Sequence, residues 1–249
     1  MVFVTRHPSE PPSSVAPTVI VALDVATQHD ALSIVARLGD SCHFYKVGSE
    51  LFTSEGPAVV AALRDRGHDV FLDLKFHDIP STVRKACTSA CDMGATLVTV
   101  HASGGAAMLH AAVEGAGSDC SVLAVTILTS LDSGAVADAW GRETVSVDEE
   151  VMRLAALAQQ SGVHGVVCSG REVAAVRARF GAALAPLVPG VRLPGGAAHD
   201  QARSVTPGQA ALAGARYLVL GRAVTGAADP AAAMAAVASD IQTSLEARR

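Results

Sequence analysis

The chain has 249 residues, half of them hydrophobic and 17% charged, a composition that excludes a disordered or coiled-coil polypeptide and suits one large domain or two small ones. Nineteen basic against twenty-four acidic residues give a net charge of −5 with no long basic run, which excludes the electrostatic footprint of a nucleic-acid binder. Small anionic ligands stay open, because a local pocket can be positive on an acidic protein.

The first segment, MVFVTRHPSEPPSSVAP, is broken by prolines and has no apolar h-region. It reads as a flexible arm over residues 1–17 rather than a signal peptide, with the folded domain at 18–249. From there the chain alternates between short β-branched runs and longer alanine-rich stretches with helical spacing. A strand at VIVALD (19–24) precedes a helix near 28–39, and HFYKVG (43–48) precedes one near 54–66. DVFLDLK (69–75) is followed by a helix near 80–93, and LVTVHA (97–102) by one near 104–116. VLAVTIL (122–128) leads to a helix near 148–161, and GVVCS (165–169) to one near 171–180. LAPLVPG (184–190) and YLVLGRA (217–223) lead to helices near 206–214 and 229–246. Gly67, Gly94, Gly162 and Gly214 each sit just past a helical pattern, where a left-handed C-terminal cap needs them.

Eight strand–helix units predict parallel pairing, and strands apolar on both faces suit a sheet filled inside and covered outside. The count predicts a closed (β/α)8 TIM barrel in one domain. An open doubly wound sheet is the competitor, but the first strand runs into LDVATQ with no glycine-rich dinucleotide turn. The cysteines, Cys42, Cys87, Cys91, Cys120 and Cys168, are odd in number and scattered. Only Cys87 and Cys91 lie one helical turn apart, with no second pair to complete a zinc site, so they read as buried small hydrophobes in a reducing compartment. No apolar run reaches the roughly 18 residues that span a bilayer. A cytoplasmic enzyme with no membrane partner is expected.

Barrel enzymes work at the C-terminal ends of their strands, and the polar residues gather there. Asp24 ends the first strand, Lys46 the second, Asp73 and Lys75 the third and His101 the fourth; Thr129 and Ser130 follow the fifth, and Arg222 closes the eighth. Residues two apart on a strand share a face, so Asp73 and Lys75 face the same way and Asp24 and Lys46 can reach them. The array alternates acid, base, acid, base. A lysine kept as an ammonium between carboxylates serves as a proton donor, whereas a Schiff-base lysine must be neutral. The competing reading is a buried ion-pair network that merely closes the mouth, although such networks are poor stabilising devices. Asp78, just before Pro80, either supports a helix N-terminus or takes part in catalysis, and His77 reads as a loop histidine.

Phosphate sites in barrels use the loops after the seventh and eighth strands. Here the seventh leads into VPGVRLPGGAAHDQARSVTP, with Arg192, Gln201 and Arg203, and the eighth ends at Gly221 and Arg222. Arginine offers a planar fork to phosphate oxygens, and glycine lets backbone N–H groups come close. The alternative for the long loop is a surface insertion without a ligand.

LDLKFHDIPSTV resembles the D-x-K-x-x-D-I-P-x-T motif of the orotidine 5′-phosphate decarboxylase family. VALDV, YKVGSELF, VHASGG, VTILTS, VPGVR and VLGRAVT are similar to that family's further segments, in its order, so the resemblance runs from Val19 to about Thr225. It implies a decarboxylation of orotidine 5′-phosphate (OMP) to UMP, the last step of de novo pyrimidine nucleotide synthesis, with neither metal nor cofactor. By position, Lys75 would protonate C6 as carbon dioxide leaves, and Asp73 would sit against the substrate carboxylate and hold Lys75. Asp24 and Lys46 would bind ribose hydroxyls and complete the array. Asp78, Ile79 and Thr82 would enter the site of a partner subunit, implying a homodimer with shared active sites. Ser130 would contact the pyrimidine, Pro189 and Gln201 would belong to a closing phosphate loop, and Arg222 with the Gly221 backbone would grip the phosphate. Arg192 and His101 also match. Val188 departs from the family, standing where threonine often precedes Pro-Gly.

Related barrels such as 3-keto-gulonate 6-phosphate decarboxylase and hexulose-phosphate synthase share the D-x-K-x-x-D motif and the phosphate site but use magnesium. They carry a metal-binding glutamate where this chain has Lys46, whose charge would repel the ion. A catalytically silent phosphate-binding barrel is the remaining alternative.

Overall fold

A computed structural model describes residues 16–193 and 205–248 of the chain. Its elements, in order, are β1 (Thr18–Ala22), α1 (Gln28–Leu38), β2 (Phe44–Gly48), α2 (Ser49–Glu55), α3 (Pro57–Arg64), β3 (Asp69–Phe76), α4 (Pro80–Asp92), β4 (Leu97–His101) and α5 (Gly105–Ala116). There follow β5 (Ser121–Val125), α6 (Ser133–Trp140), α7 (Val147–Gln160), β6 (Gly165–Val167), α8 (Val173–Phe180), β7 (Ala185–Val188), α9 (Pro207–Ala213), β8 (Tyr217–Leu220), α10 (Arg222–Thr225) and α11 (Pro230–Glu246).

The eight strands pair in parallel in sequence order, and β1 closes on β8 through Thr18↔Tyr217 to Val21↔Leu220. This is the (β/α)8 barrel expected from the strand count. Each strand's alternation serves two cores. One set, including Ile20, Phe44, Phe71, Leu97, Leu123, Leu187 and Val219, fills the barrel interior. The other, including Val21, Val47, Leu72, Val98, Val122, Val166 and Leu218, packs outward beneath the helices. The four expected cap glycines adopt the left-handed region, with φ of 79° at Gly67, 90° at Gly94, 74° at Gly162 and 96° at Gly214.

Several expected boundaries shift. The helix expected at 54–66 is two helices: α2 begins directly after β2, and Gly56, at φ 64°, breaks it before Pro57 starts α3. Helix α6 has no counterpart in the sequence reading; the Asp132 carboxylate accepts from the Ala135 N–H and starts it after the shorter β5. β7 ends at Val188, leaving Pro189 and Gly190 in the following loop, and β8 ends at Leu220, so Gly221 and Arg222 lie beyond the strand. Asp24 lies two residues past β1, and Lys46 is in the middle of β2 rather than at its end. Residues 1–15 of the expected arm, and Gln201 and Arg203 of the long loop, lie outside the described residues. Among the described residues no helix is long and apolar enough to cross a membrane.

Candidate active site

The alternation that fills the barrel also builds its mouth. Phe44, Phe71 and Leu97 point inward, and the next inward positions on the same three strands are Lys46, Asp73 and Thr99. Asp24 continues the inward file of Ile20 and Ala22 past the end of β1. An apolar plug is thus capped on its β1–β4 side by polar side chains.

These groups are joined in a chain. Lys46 Nζ donates to Asp24 Oδ1 at 2.8 Å and lies 3.9 Å from Asp73 Oδ2. Lys75 Nζ donates to both Asp73 carboxylate oxygens at 2.9 Å. The Lys46 and Asp73 side chains are only 12% and 13% exposed, Lys75 is 35% exposed and Asp24 58%, so the chain runs from a shielded centre to open ends. Removing one member of a buried pair leaves an uncompensated charge, at a cost of about 3–5 kcal/mol. Gly48 makes room for the arrangement: a Cβ there would stand 2.9 Å from Lys46 Nζ.

Lys75 reaches Asp73 by a route that regular strand geometry does not predict. Its φ is +51°, the sole positive value at a non-glycine among the described residues. Pairing of β3 with β4 slips here: Leu72 opposes Val98 and Phe76 opposes Val100, so β3 carries extra residues between them. A left-handed lysine costs about 1–2 kcal/mol. The Lys75 N–H, displaced from the ladder, donates to Thr99 Oγ1 at 2.9 Å, and Thr99 Oγ1 donates to Asp73 Oδ1 at 2.8 Å. Thr99 is fully buried. The sequence reading missed it, although its position two beyond Leu97 marked it as inward-facing.

Beside the charged chain opens a cavity of about 780 Å³. Asp24, Lys46, Asp73 and Lys75 line one side; Pro189, Gly190, Arg192, Gly221 and Arg222 line another, and Phe71, Val125, Ile127, Val167, Leu187 and Val219 form an apolar floor. The cavity therefore offers arginines, an apolar surface and an alternating charge array, which suits an anionic ligand with an apolar portion. Thr129 lines it, whereas Ser130 is exposed in the adjoining turn and is not among the lining residues.

Asp78, Ile79 and Thr82 are not brought to this cavity within the single chain. All three are exposed where β3 turns into α4, with Ile79 at 64% exposure, and Asp78 Oδ1 accepts from the Ile79 N–H at 2.6 Å. His101 is half-buried against His77, with ring centroids 5.3 Å apart. Burial, reinforced by the nearby His77 and Lys75, lowers its pKa and keeps the imidazole neutral near pH 7. The five cysteines are free thiols, and burial pushes Cys87 up to about 12. Among the described residues no cluster of three or more His, Cys, Asp and Glu side chains could hold a metal ion.

The chain matches the orotidine 5′-phosphate decarboxylase / HUMPS family over residues 17–237. It is 49% identical to the orotidine 5′-phosphate decarboxylase of Laribacter hongkongensis over 234 residues, covering 92% of this chain and 95% of the relative. It is 45% identical to that of Escherichia coli, covering 91% and 93% of the two chains. The crystal structure of the Lactobacillus acidophilus orotidine 5′-phosphate decarboxylase superposes with a TM-score of 0.81 at 36% identity, covering 90% of this chain and 99% of that one.

Proposed function

The chain belongs to the orotidine 5′-phosphate decarboxylase / HUMPS family, and from that membership and the geometry of its mouth we propose that it converts OMP to UMP and carbon dioxide. The observation that carries the reading is the alternating Asp24–Lys46–Asp73–Lys75 chain in a cavity that Arg192 and Arg222 also line. OMP has groups for both, a reacting carboxylate on the pyrimidine and a phosphate on the ribose.

Cleavage of the C6–carboxylate bond leaves its electron pair on C6, with no adjacent carbonyl to delocalise it. Stabilisation must come from fixed charge, and the Lys75 ammonium is the cation best placed to supply it. Lys75 then transfers a proton to C6, giving UMP, and regains one from solvent. Asp73 holds Lys75 by two hydrogen bonds and lies against the departing carboxylate, whose loss relieves like-charge repulsion. Lys46 and Asp24 take the ribose hydroxyls. Arg222, with the Gly221 backbone, takes the phosphate, assisted by Arg192, Pro189 and Gln201 of the loop after β7. The binding energy of the remote phosphate holds the reacting end in place.

No metal is required in this scheme. The Lys46 ammonium stands within 4 Å of both Asp24 and Asp73, supplying the positive charge that a divalent ion would bring. That favours OMP decarboxylation over a magnesium-dependent sugar-phosphate reaction. Free buried thiols suit the reducing cytoplasm.

Asp78, Ile79 and Thr82 complete the site of a second copy in a homodimer. An exposed isoleucine beside a carboxylate on the βα turn fits that role better than a lone solvated loop. Mixing Lys75→Ala and Asp78→Ala subunits tests it: reassorted dimers regain about a quarter of the wild-type sites, since half are mixed and each mixed dimer has one intact site. No recovery would remove Asp78 from a shared site. Loss of OMP absorbance on adding the enzyme tests the activity itself; an unchanged spectrum would refute it.

A further inference from the structure

The Thr99 hydroxyl occupies a position that ribose and phosphate recognition do not explain. It is fully buried and does not line the cavity, so it touches the charged chain and not the ligand. Its two contacts fix the role of its hydrogen. The Lys75 N–H has only a proton to give, so Thr99 Oγ1 must accept it, at 2.9 Å. The single hydroxyl hydrogen is then left for Asp73 Oδ1, at 2.8 Å. The donor order is therefore fixed: the Lys75 backbone donates to Thr99, Thr99 donates to the Asp73 carboxylate, and that carboxylate also accepts from the Lys75 ammonium.

This loop closes where the sheet is interrupted. Between the Leu72↔Val98 and Phe76↔Val100 pairs, β3 departs from the ladder, and Lys75 adopts its positive φ. A buried N–H released from a ladder needs another acceptor, and here a side chain from the neighbouring strand supplies it. Thr99 thus stands in for a backbone carbonyl at the one place where the lysine backbone is bent out of the strand. Its β-branched side chain has few rotamers, which fixes the hydroxyl.

We propose that Thr99 is a positioning residue for proton delivery: by linking the Lys75 backbone to the Asp73 carboxylate, its hydroxyl sets the geometry from which the Lys75 ammonium reaches C6. The proposal rests on the OMP decarboxylase reading and adds a member to its machinery. Thr99→Val keeps the shape and removes the hydroxyl. Thr99→Ser keeps the hydroxyl and removes the methyl. A misplacement of about 1 Å costs on the order of 10²-fold in rate, so Thr99→Val is expected to lose about 10²-fold in kcat. Its KM for OMP should stay within about threefold, since the phosphate and ribose contacts lie elsewhere. Thr99→Ser should recover kcat to within about fivefold of wild type. UMP titration and thermal unfolding identify the variants that are folded, and Thr99→Ala replaces Thr99→Val if the valine variant does not fold.

A Thr99→Val enzyme that turns over OMP within about threefold of wild type would overturn the proposal. So would a folded Thr99→Ser as impaired as the valine or alanine variant, because the hydroxyl would then not be the active feature. A wild type unable to decarboxylate OMP would instead overturn the underlying reading. Wild-type turnover with an unimpaired valine variant sinks the role of Thr99 alone.

Discussion

The two halves of the barrel mouth are built differently. On the β1–β4 side, Lys46 and Asp73 project from strand positions, Asp24 lies just past one, and their partners are one another. On the β7–β8 side, the strands end in apolar residues, and Arg192 and Arg222 stand on the segments that follow. The first half places charged groups on or just past hydrogen-bonded strands, each held by an opposite charge. The second places Arg192 on the loop after β7 and Arg222 at the first position of the short helix α10. Chemistry that depends on preorganised charge belongs on the first kind of support, and recognition of a phosphate that must enter and leave belongs on the second.

The comparison is sharpened by substituting one residue on each side. Lys75→Ala should fold, bind UMP and lose at least about 10⁴-fold in kcat, because both the proton and the stabilising charge go. Retained decarboxylation, measured by OMP absorbance, would refute its role as donor. Arg222→Ala should lose about 10²- to 10³-fold in kcat/KM, with a raised KM and an unchanged thermal transition. Normal kinetics would take Arg222 out of the site, and a loss confined to kcat would dissolve the distinction between the two halves.

The smallest effect concerns stability. Burial comes first among the causes that lower the pKa of His68, His101 and His164. Each therefore takes up its proton at lower pH when folded than when unfolded. Between the two values the unfolded chain holds more protons, so stability rises with pH there. As pH falls through the ordinary imidazole value of 6.5, the folded state should lose ground. Denaturant midpoints compared at about pH 7.5 and about pH 5.5 should show the decline; equal midpoints would contradict it.

The fold was legible because its signals are local and repeated. Ile20, Phe71 and Leu123 alternate with outward-facing neighbours, and Gly67, Gly94, Gly162 and Gly214 close helices in the sequence as in the structure. The charged chain was legible for the same reason, since period two carries Phe44 to Lys46 and Phe71 to Asp73. What was not legible depends on contacts between distant segments. The positive φ of Lys75 reflects pairing with β4, and the Thr99 hydroxyl gains its meaning only from that departure. Within the β2–β3 connection, the helix expected at 54–66 ran through Gly56 and Pro57, where the structure breaks it, and α2 starting directly at Ser49 was missed. Asp78, Ile79 and Thr82 were named by resemblance to the family, and the single chain leaves them exposed outside the cavity lining.

The most direct test of a strand-borne charge ladder acting alone is the rate of OMP decarboxylation before and after exhaustive treatment with EDTA. The same rate in both samples is predicted, with carbon dioxide and UMP formed in equal amounts. No turnover in either sample, or activity that vanishes with the chelator and returns with magnesium, would contradict the account.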